Sequence, residues 1–216
     1  MKKDYSVIFF DVDGTLTDSG TGIMNGFAYA IEKMGGRVED RSMLKQFVGP
    51  PLRDSFGRVL GYSQEDTEKA VAFYREYYNG MGGSLENSVY PGVEELLKRL
   101  AERGKRLVVA TSKGARGTDF VLEHFGLKKY FEIIATANDS DRQHKNEVIG
   151  YALKLCGIQD MNSVVMVGDR ENDISGAKCF GMDSIGVLYG YGSREELTEA
   201  GATYLAETAA DVEKYV

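Results

Sequence analysis

Along this chain, short unbroken apolar runs alternate with stretches whose apolar positions recur every three to four residues. The runs are Tyr5-Ser6-Val7-Ile8-Phe9-Phe10, Arg106 to Thr111, Glu132 to Thr136, Ser163 to Val167 and Asp183 to Leu188. Residues 92–103, 116–125, 145–156 and 172–181 lie between them and carry the helical period. A strand that is apolar at nearly every position is buried on both faces. The alternation therefore predicts an α/β protein, a parallel sheet with helices on either side, three layers in all. Such sheets hold their sites at the carboxyl ends of the strands, near the point where strand order reverses.

One block interrupts the alternation. From about Gly20 to Asn87 there is no strand run, only the helical patterns 22–34, 41–47, 51–60 and 64–79, closing in Gly80-Met81-Gly82-Gly83-Ser84. This predicts an all-α domain, 17–87, inserted into a core of 1–16 and 88–216, with linkers near 17–20 and 80–88. Phe73, Tyr74, Tyr77 and Tyr78 fall at helical spacing and are expected to pack rather than to bind. A lid attached there would exclude water from a reaction.

The chain of 216 residues is long enough for one good core and a small inserted domain. It has 26 Lys and Arg against 33 Asp and Glu, a net charge of −7, which argues against nucleic acid or an anionic membrane as partner. No apolar run approaches the roughly 18 to 20 residues of a membrane span. The start, MKKDYSVIFF, enters a strand pattern at once without a small-residue cleavage site, so no signal peptide and a cytoplasmic location are expected. Cys156 and Cys179 sit in helix-like patterns and are expected to be reduced core thiols. The Cys and His residues lack zinc spacing. His124 is expected to be structural, and His144 a solvated loop residue.

The first strand ends in Asp11-Val12-Asp13-Gly14-Thr15. Residues two apart on an extended backbone point the same way, so Asp11 and Asp13 leave the strand side by side, and Gly14 permits a sharp turn. Adjacent carboxylates repel unless a cation or proton intervenes. A calcium loop is excluded: counted from Asp11, its fifth, sixth and twelfth positions are Thr15, Leu16 and Gly22.

Three more places carry matching groups: Thr111-Ser112-Lys113-Gly114 after the second strand, Lys145 at the start of a helix, and Gly168-Asp169-Arg170-Glu171-Asn172-Asp173 after the fourth. The chemistry that needs such a set is phosphoryl transfer through an aspartyl phosphate. Asp11 is the expected nucleophile and Asp13 the general acid and base. Mg²⁺ suits an all-oxygen site of Asp11, the backbone carbonyl of Asp13, Asp169 and waters, with Asp173 as ligand or support. Thr111 and Lys145 would hold the phosphoryl oxygens, with Gly14, Thr15 and Ser112 as further phosphate-binding candidates. In the inserted block, Arg53, after Gly49-Pro50-Pro51-Leu52, is the candidate for touching an anionic part of the substrate.

With these four motifs (DVDGT, VVATSK, the isolated Lys145 and VGDRENDISGAK) the chain resembles the haloacid dehalogenase superfamily of phosphatases along essentially its whole length. The segments FVGPPL, SVYPGVEELLKRL and SIGVLYGYGS resemble its phosphoglycolate phosphatase-like branch, with a helical C1-type cap. The resemblance implies a Rossmann-like core with the first-motif strand central, Mg²⁺ as cofactor, and Asp11 as phosphoryl acceptor. The implied substrate is a small phosphorylated metabolite such as phosphoglycolate or a nucleoside monophosphate, the enzyme being a monomer or homodimer. A sugar phosphomutase like β-phosphoglucomutase and a pyrophosphatase share the same core. A non-enzymatic phospho-receiver would be shorter and would lack the inserted helices.

Overall fold

The apolar run near the start of the chain becomes the middle of a sheet. In the computed structural model, which describes residues 3–216, Val7–Phe10 form β1, with every residue buried. Arg106–Gly114 (β4), Ile133–Ala137 (β5), Val164–Gly168 (β6), Asp183–Val187 (β7) and Tyr204–Ala206 (β8) complete a six-stranded sheet. Its order is β5-β4-β1-β6-β7-β8, with every pair parallel. The chain leaves β1 toward β4 on one side and returns to β6 on the other, so strand order reverses at β1. Phe10 lies opposite both Val109 and Val167. Asp11 therefore emerges between the ends of β4 and β6.

Alternation along the strands builds two cores. Ile8, Phe10, Leu107, Val109, Val165 and Val167 face one side. There they meet helices α3 (Val93–Glu102), α4 (Ala115–His124) and α8 (Ala209–Val212). Val7, Phe9, Val108, Val164 and Met166 face the other, against α5 (Lys145–Cys156) and α6 (Glu171–Lys178). A fully buried Phe or Val contributes about 1.5–3 kcal/mol over its exposed state, so both faces hold the strands in register. Helix α7 (Arg194–Ala200) precedes β8. Neither α7 nor β8 is signalled by a long run: β8 is three residues, too short to show alternation.

The chain divides into two compact units, one reaching Thr17 and resuming at Val89, the other Asp18–Ser88. The two connections pair as a small ribbon of β2 (Thr17–Asp18) and β3 (Ser88–Val89). In the second unit, α1 (Gly20–Lys33) packs on α2 (Gln64–Arg75) around Phe27, whose ring lies 4.8 Å from Phe47, 4.8 Å from Phe56 and 5.1 Å from Tyr74. Tyr78 stacks on Tyr74, so the aromatic stripe is packing.

The remaining helical patterns depart from regular α geometry. Arg41–Phe47 tightens to a 3₁₀ helix, whose eclipsed i and i+3 positions bury Leu44 and Phe47 together. Asp54–Val59, which contains Gly57, and Glu76–Gly80, which ends in Asn-Gly, widen to π turns. Among the described residues no helix is long and apolar enough to cross a membrane. Cys156 is half-buried, but Cys179 is exposed, against expectation, because α6 ends at Lys178 and Cys179 caps it.

Candidate active site

The loop after β1 folds on itself. The carbonyl of Val12 accepts the N–H groups of Thr15, Leu16 and Thr17, and Gly14 donates to the carbonyl of Thr17 at 2.8 Å. Gly14 holds φ at +88°, a conformation that strains any other residue. The hydroxyl of Thr15 donates to Asp169 Oδ1 at 3.3 Å. Thus the N–H groups of Gly14 and Thr15 bond within the loop, and the Thr15 hydroxyl ties it to Asp169.

Asp11, Asp169 and Asp173 are buried, and each offers a carboxylate oxygen within 4.8 Å of the others. Lys145, the first residue of α5, reaches under the strand ends. Its Nζ lies 2.8 Å from Asp11 Oδ1, 2.8 Å from Asp173 Oδ1 and 3.1 Å from the Ala110 carbonyl, to which it donates. One ammonium thus serves both carboxylates, each at ion-pair distance. Asp173 Oδ2 accepts the N–H of Arg170 at 3.1 Å, capping α6. Asp169 Oδ2 accepts the N–H of Tyr191 at 2.9 Å.

The electrostatics follow from burial. Desolvation pushes Asp11 up to about 6; Lys145 works against this and Asp173 adds to it. Asp169 is driven well above the ordinary carboxylate range by desolvation, then by Asp173 and Asp11. Burial opposes the charge on Lys145, but Asp11 and Asp173 overcome it and raise its pKa. Three carboxylates against one ammonium leave an excess of negative charge in a dry place, which a further cation would relieve. The donors are all carboxylate oxygens. The site fits a hard divalent cation.

Thr111, at the end of β4, is buried, and its hydroxyl favours the ionised form of Asp11. Ser112 follows it, half-buried. Thus Asp11, Asp13, Thr111, Lys145, Asp169 and Asp173, drawn from four segments, meet at the carboxyl edge of the sheet. Asp13 brings an unforeseen partner: Lys113 Nζ donates to both its oxygens at 3.0 Å. A lysine after a strand usually reads as solvated, and only its closeness to Thr111 in sequence pointed here. Tyr191 was equally hidden, since a backbone donor leaves no mark on the sequence.

Other candidates are engaged elsewhere. Arg53 holds Glu68 through two hydrogen bonds, at 2.6 and 2.9 Å, within the helical unit. His144 is exposed at the start of α5, and its N–H bonds Glu147. His124, also exposed, stacks on Phe120 and meets Phe125 edge-on.

Fold and site together define a doubly wound α/β protein with an acidic, cation-ready centre at its topological switch point. The chain belongs to the haloacid dehalogenase-like hydrolase family, which it matches over residues 8–187. A crystal structure of a predicted phosphatase from Clostridium acetobutylicum is 42% identical and superposes with a TM-score of 0.94, covering 98% of this chain and 97% of that one. A 5′-nucleotidase from Pseudomonas aeruginosa is 38% identical over 208 residues, 95% of this chain and 93% of that protein. The tyrosine-protein kinase PtkA of Mycobacterium tuberculosis is 37% identical over 205 residues, 94% of this chain and 69% of that protein.

Proposed function

We propose that this protein is a Mg²⁺-dependent phosphatase that hydrolyses a small phosphomonoester through a phosphorylated Asp11. The observation that carries the reading is the packing of Asp11 against Lys145, Asp173 and Asp169 beside a second carboxyl, Asp13, at the end of the same strand. Asp11, Asp169, Asp173 and the Asp13 carbonyl are the residues to hold Mg²⁺. When bound, the ion supplies charge neutralisation, so that an anionic carboxylate can approach an anionic phosphate.

Asp11 attacks phosphorus; a bond forms between its oxygen and phosphorus while the ester bond to the leaving oxygen breaks. Protonated Asp13 gives its proton to that oxygen, and the alcohol departs. Asp13, now a carboxylate, takes a proton from water as the water oxygen bonds phosphorus. The bond to Asp11 then breaks and inorganic phosphate leaves. Thr111, Ser112 and Lys145 hold the phosphoryl oxygens. Its place in the sequence, directly after the Asp11 loop, supports the helical unit as a cap that selects the substrate. There Arg53 would exchange Glu68 for a substrate anion, a half-exposed pair worth about 0–1 kcal/mol.

Phosphoglycolate and nucleoside 5′-monophosphates head the candidate substrates, the latter supported by the nucleotidase relative. A second reading, phosphoryl transfer to a tyrosine hydroxyl, rests on the kinase relative. A phosphate-release screen over a panel of phosphorylated metabolites with Mg²⁺ tests the first, with Asp11→Asn as the blank. Turnover by the wild type and none by the variant is expected. Turnover retained in Asp11→Asn would remove the nucleophile. Labelling of a tyrosine peptide from ATP, without phosphate release from the panel, would favour the second reading.

A further inference from the structure

Lys113 has no task in the reading above, yet its placement is built into the strand. β4 pairs with β5 residue for residue up to Thr111 opposite Thr136, and the next pair is Gly114 opposite Ala137. Ser112 and Lys113 therefore bulge out of the ladder, an irregularity that re-aims side chains. The bulge is pinned on both sides. Lys113 donates its N–H to the Thr111 hydroxyl at 3.2 Å, and the Thr118 hydroxyl of α4 donates to the Lys113 carbonyl at 3.4 Å. The result is a lysine side chain only 8% exposed, meeting an Asp13 side chain only 12% exposed, with Nζ 3.0 Å from each carboxylate oxygen.

Drawing both charges out of water is expensive unless the geometry is good, and ordering a long lysine side chain adds an entropic cost. A solvated lysine would have neither cost. What the contact provides is definition. A carboxyl group on a loop turns about two side-chain torsions, whereas contact with both oxygens fixes both torsions. A group that must pass a proton to one particular oxygen needs that restriction, because misplacement by about 1 Å costs about a hundredfold in rate.

We propose that Lys113 is the positioning residue for Asp13, holding its carboxyl group where the leaving oxygen and later the attacking water are found. The proposal rests on the reading of Asp13 as the acid and base of a phosphatase. Lys113 carries no proton in either step; it acts through Asp13 alone.

The leaving group supplies the test. A nitrophenolate departs without being protonated, whereas an alkoxide does not. Kinetics of wild type, Lys113→Met, Lys113→Gln and Lys113→Arg are compared on p-nitrophenyl phosphate and on the faster of 2-phosphoglycolate and adenosine 5′-monophosphate. Removing the ammonium is expected to lower kcat on the alkyl ester by about 30- to 100-fold, but by only about threefold on the nitrophenyl ester, with KM within about threefold. Lys113→Arg is expected to regain most of the loss. In an Asp13→Asn background the Lys113→Met change should add nothing on the alkyl ester, since the two residues act as a unit.

Equal losses on both esters, a rise in KM at constant kcat, or additive effects with Asp13→Asn would each overturn the proposal while leaving the phosphatase reading intact. Should Lys113→Met fail to fold, Lys113→Gln carries the same comparison. A wild-type chain that releases phosphate from neither ester would sink both readings together.

Discussion

Gly190 stands so close to Asp169 that a methyl group in its place would lie 2.7 Å from Asp169 Oδ2 and press on the carbonyl oxygen of Gly14. Neither neighbour is free to yield. Asp169 Oδ2 is held by the Tyr191 N–H, and Gly14 is committed to its left-handed turn. The loop after β7 thus sets where the carboxylate of Asp169 stands. Gly190→Ala is expected to cost about 1–3 kcal/mol by overpacking. By tilting Asp169, it should also weaken divalent-ion binding about 10- to 100-fold. Thermal melts and calorimetric Mg²⁺ titration measure the two effects. Unchanged ion affinity would show that Asp169 does not bind the ion.

Removing the charge of Asp169 while keeping its shape should have the opposite effect on stability. Asp169→Asn can still accept from the Tyr191 N–H, and its amide can donate to the Thr15 hydroxyl, so the hydrogen bonds survive. What disappears is a buried carboxyl that suffers from desolvation and from Asp173 and Asp11. In buffer with EDTA the variant is expected to be more stable than wild type by on the order of 1–2 kcal/mol, as when a destabilised active site is relaxed. Mg²⁺ at about 100 times its Kd should add about 2.7 kcal/mol to the wild type and much less to the variant. Guanidinium unfolding with and without Mg²⁺ reads both. A variant less stable than wild type in EDTA contradicts the charge argument.

These relationships show which parts of the molecule the residues announce. Strands β1 and β6 are apolar at almost every position because they are covered on both faces, so the switch point and the emergence of Asp11 and Asp13 could be read directly. Lys145 and Asp173 were legible as candidates, but their meeting required α5 and α6 to pack on the same face of the sheet. Lys113 was illegible because its direction depends on a two-residue bulge, and a bulge has no hydrophobic period. The bonding of Gly14 and Thr15 is illegible for a similar reason: where a loop donor points depends on whether the turn closes on its own N–H groups. The tightened and widened turns of Arg41–Phe47 and Asp54–Val59 carry a helical period whose exact pitch short segments do not fix.

Lys145 is the cation that makes the buried carboxylates tolerable in the absence of metal. Its Nζ touches Asp11 and Asp173, both buried, and its methylenes fill space beside Gly176. Lys145→Met keeps most of that volume and deletes the charge, leaving the acidic group uncompensated. Breaking a buried ion pair from one side costs about 3–5 kcal/mol. That loss is expected in EDTA, and Mg²⁺ should recover part of it by restoring positive charge. Denaturant midpoints in the two buffers provide the check. A loss within the roughly 0.5 kcal/mol of an ordinary surface substitution would mean that Asp11 and Asp173 are neutral in the folded chain.

The helix that delivers Lys145 is itself set by pH through Glu147. Its carboxylate accepts the N–H of Gln143 at 2.7 Å and of His144 at 2.9 Å, satisfying donors at the start of α5. The hydrogen bond from His144, then that from Gln143, holds its pKa below the usual glutamate value. A depressed folded-state pKa means that the fold prefers the ionised form. The stabilisation is therefore complete above the unfolded glutamate pKa and is lost as pH falls through the lower, folded value. Glu147→Gln should cost about 0.5–1 kcal/mol at pH 7, the lower part of the capping range, because the group is exposed and screened. The gap between variant and wild type should narrow as pH falls below the ordinary glutamate pKa and close once pH has passed the lower, folded value, where the wild-type carboxyl is protonated as well. Urea midpoints from pH 7 down to the onset of acid unfolding follow this directly. A gap that stays constant across that range would show that the charge of Glu147, as distinct from its shape, contributes nothing to seating α5.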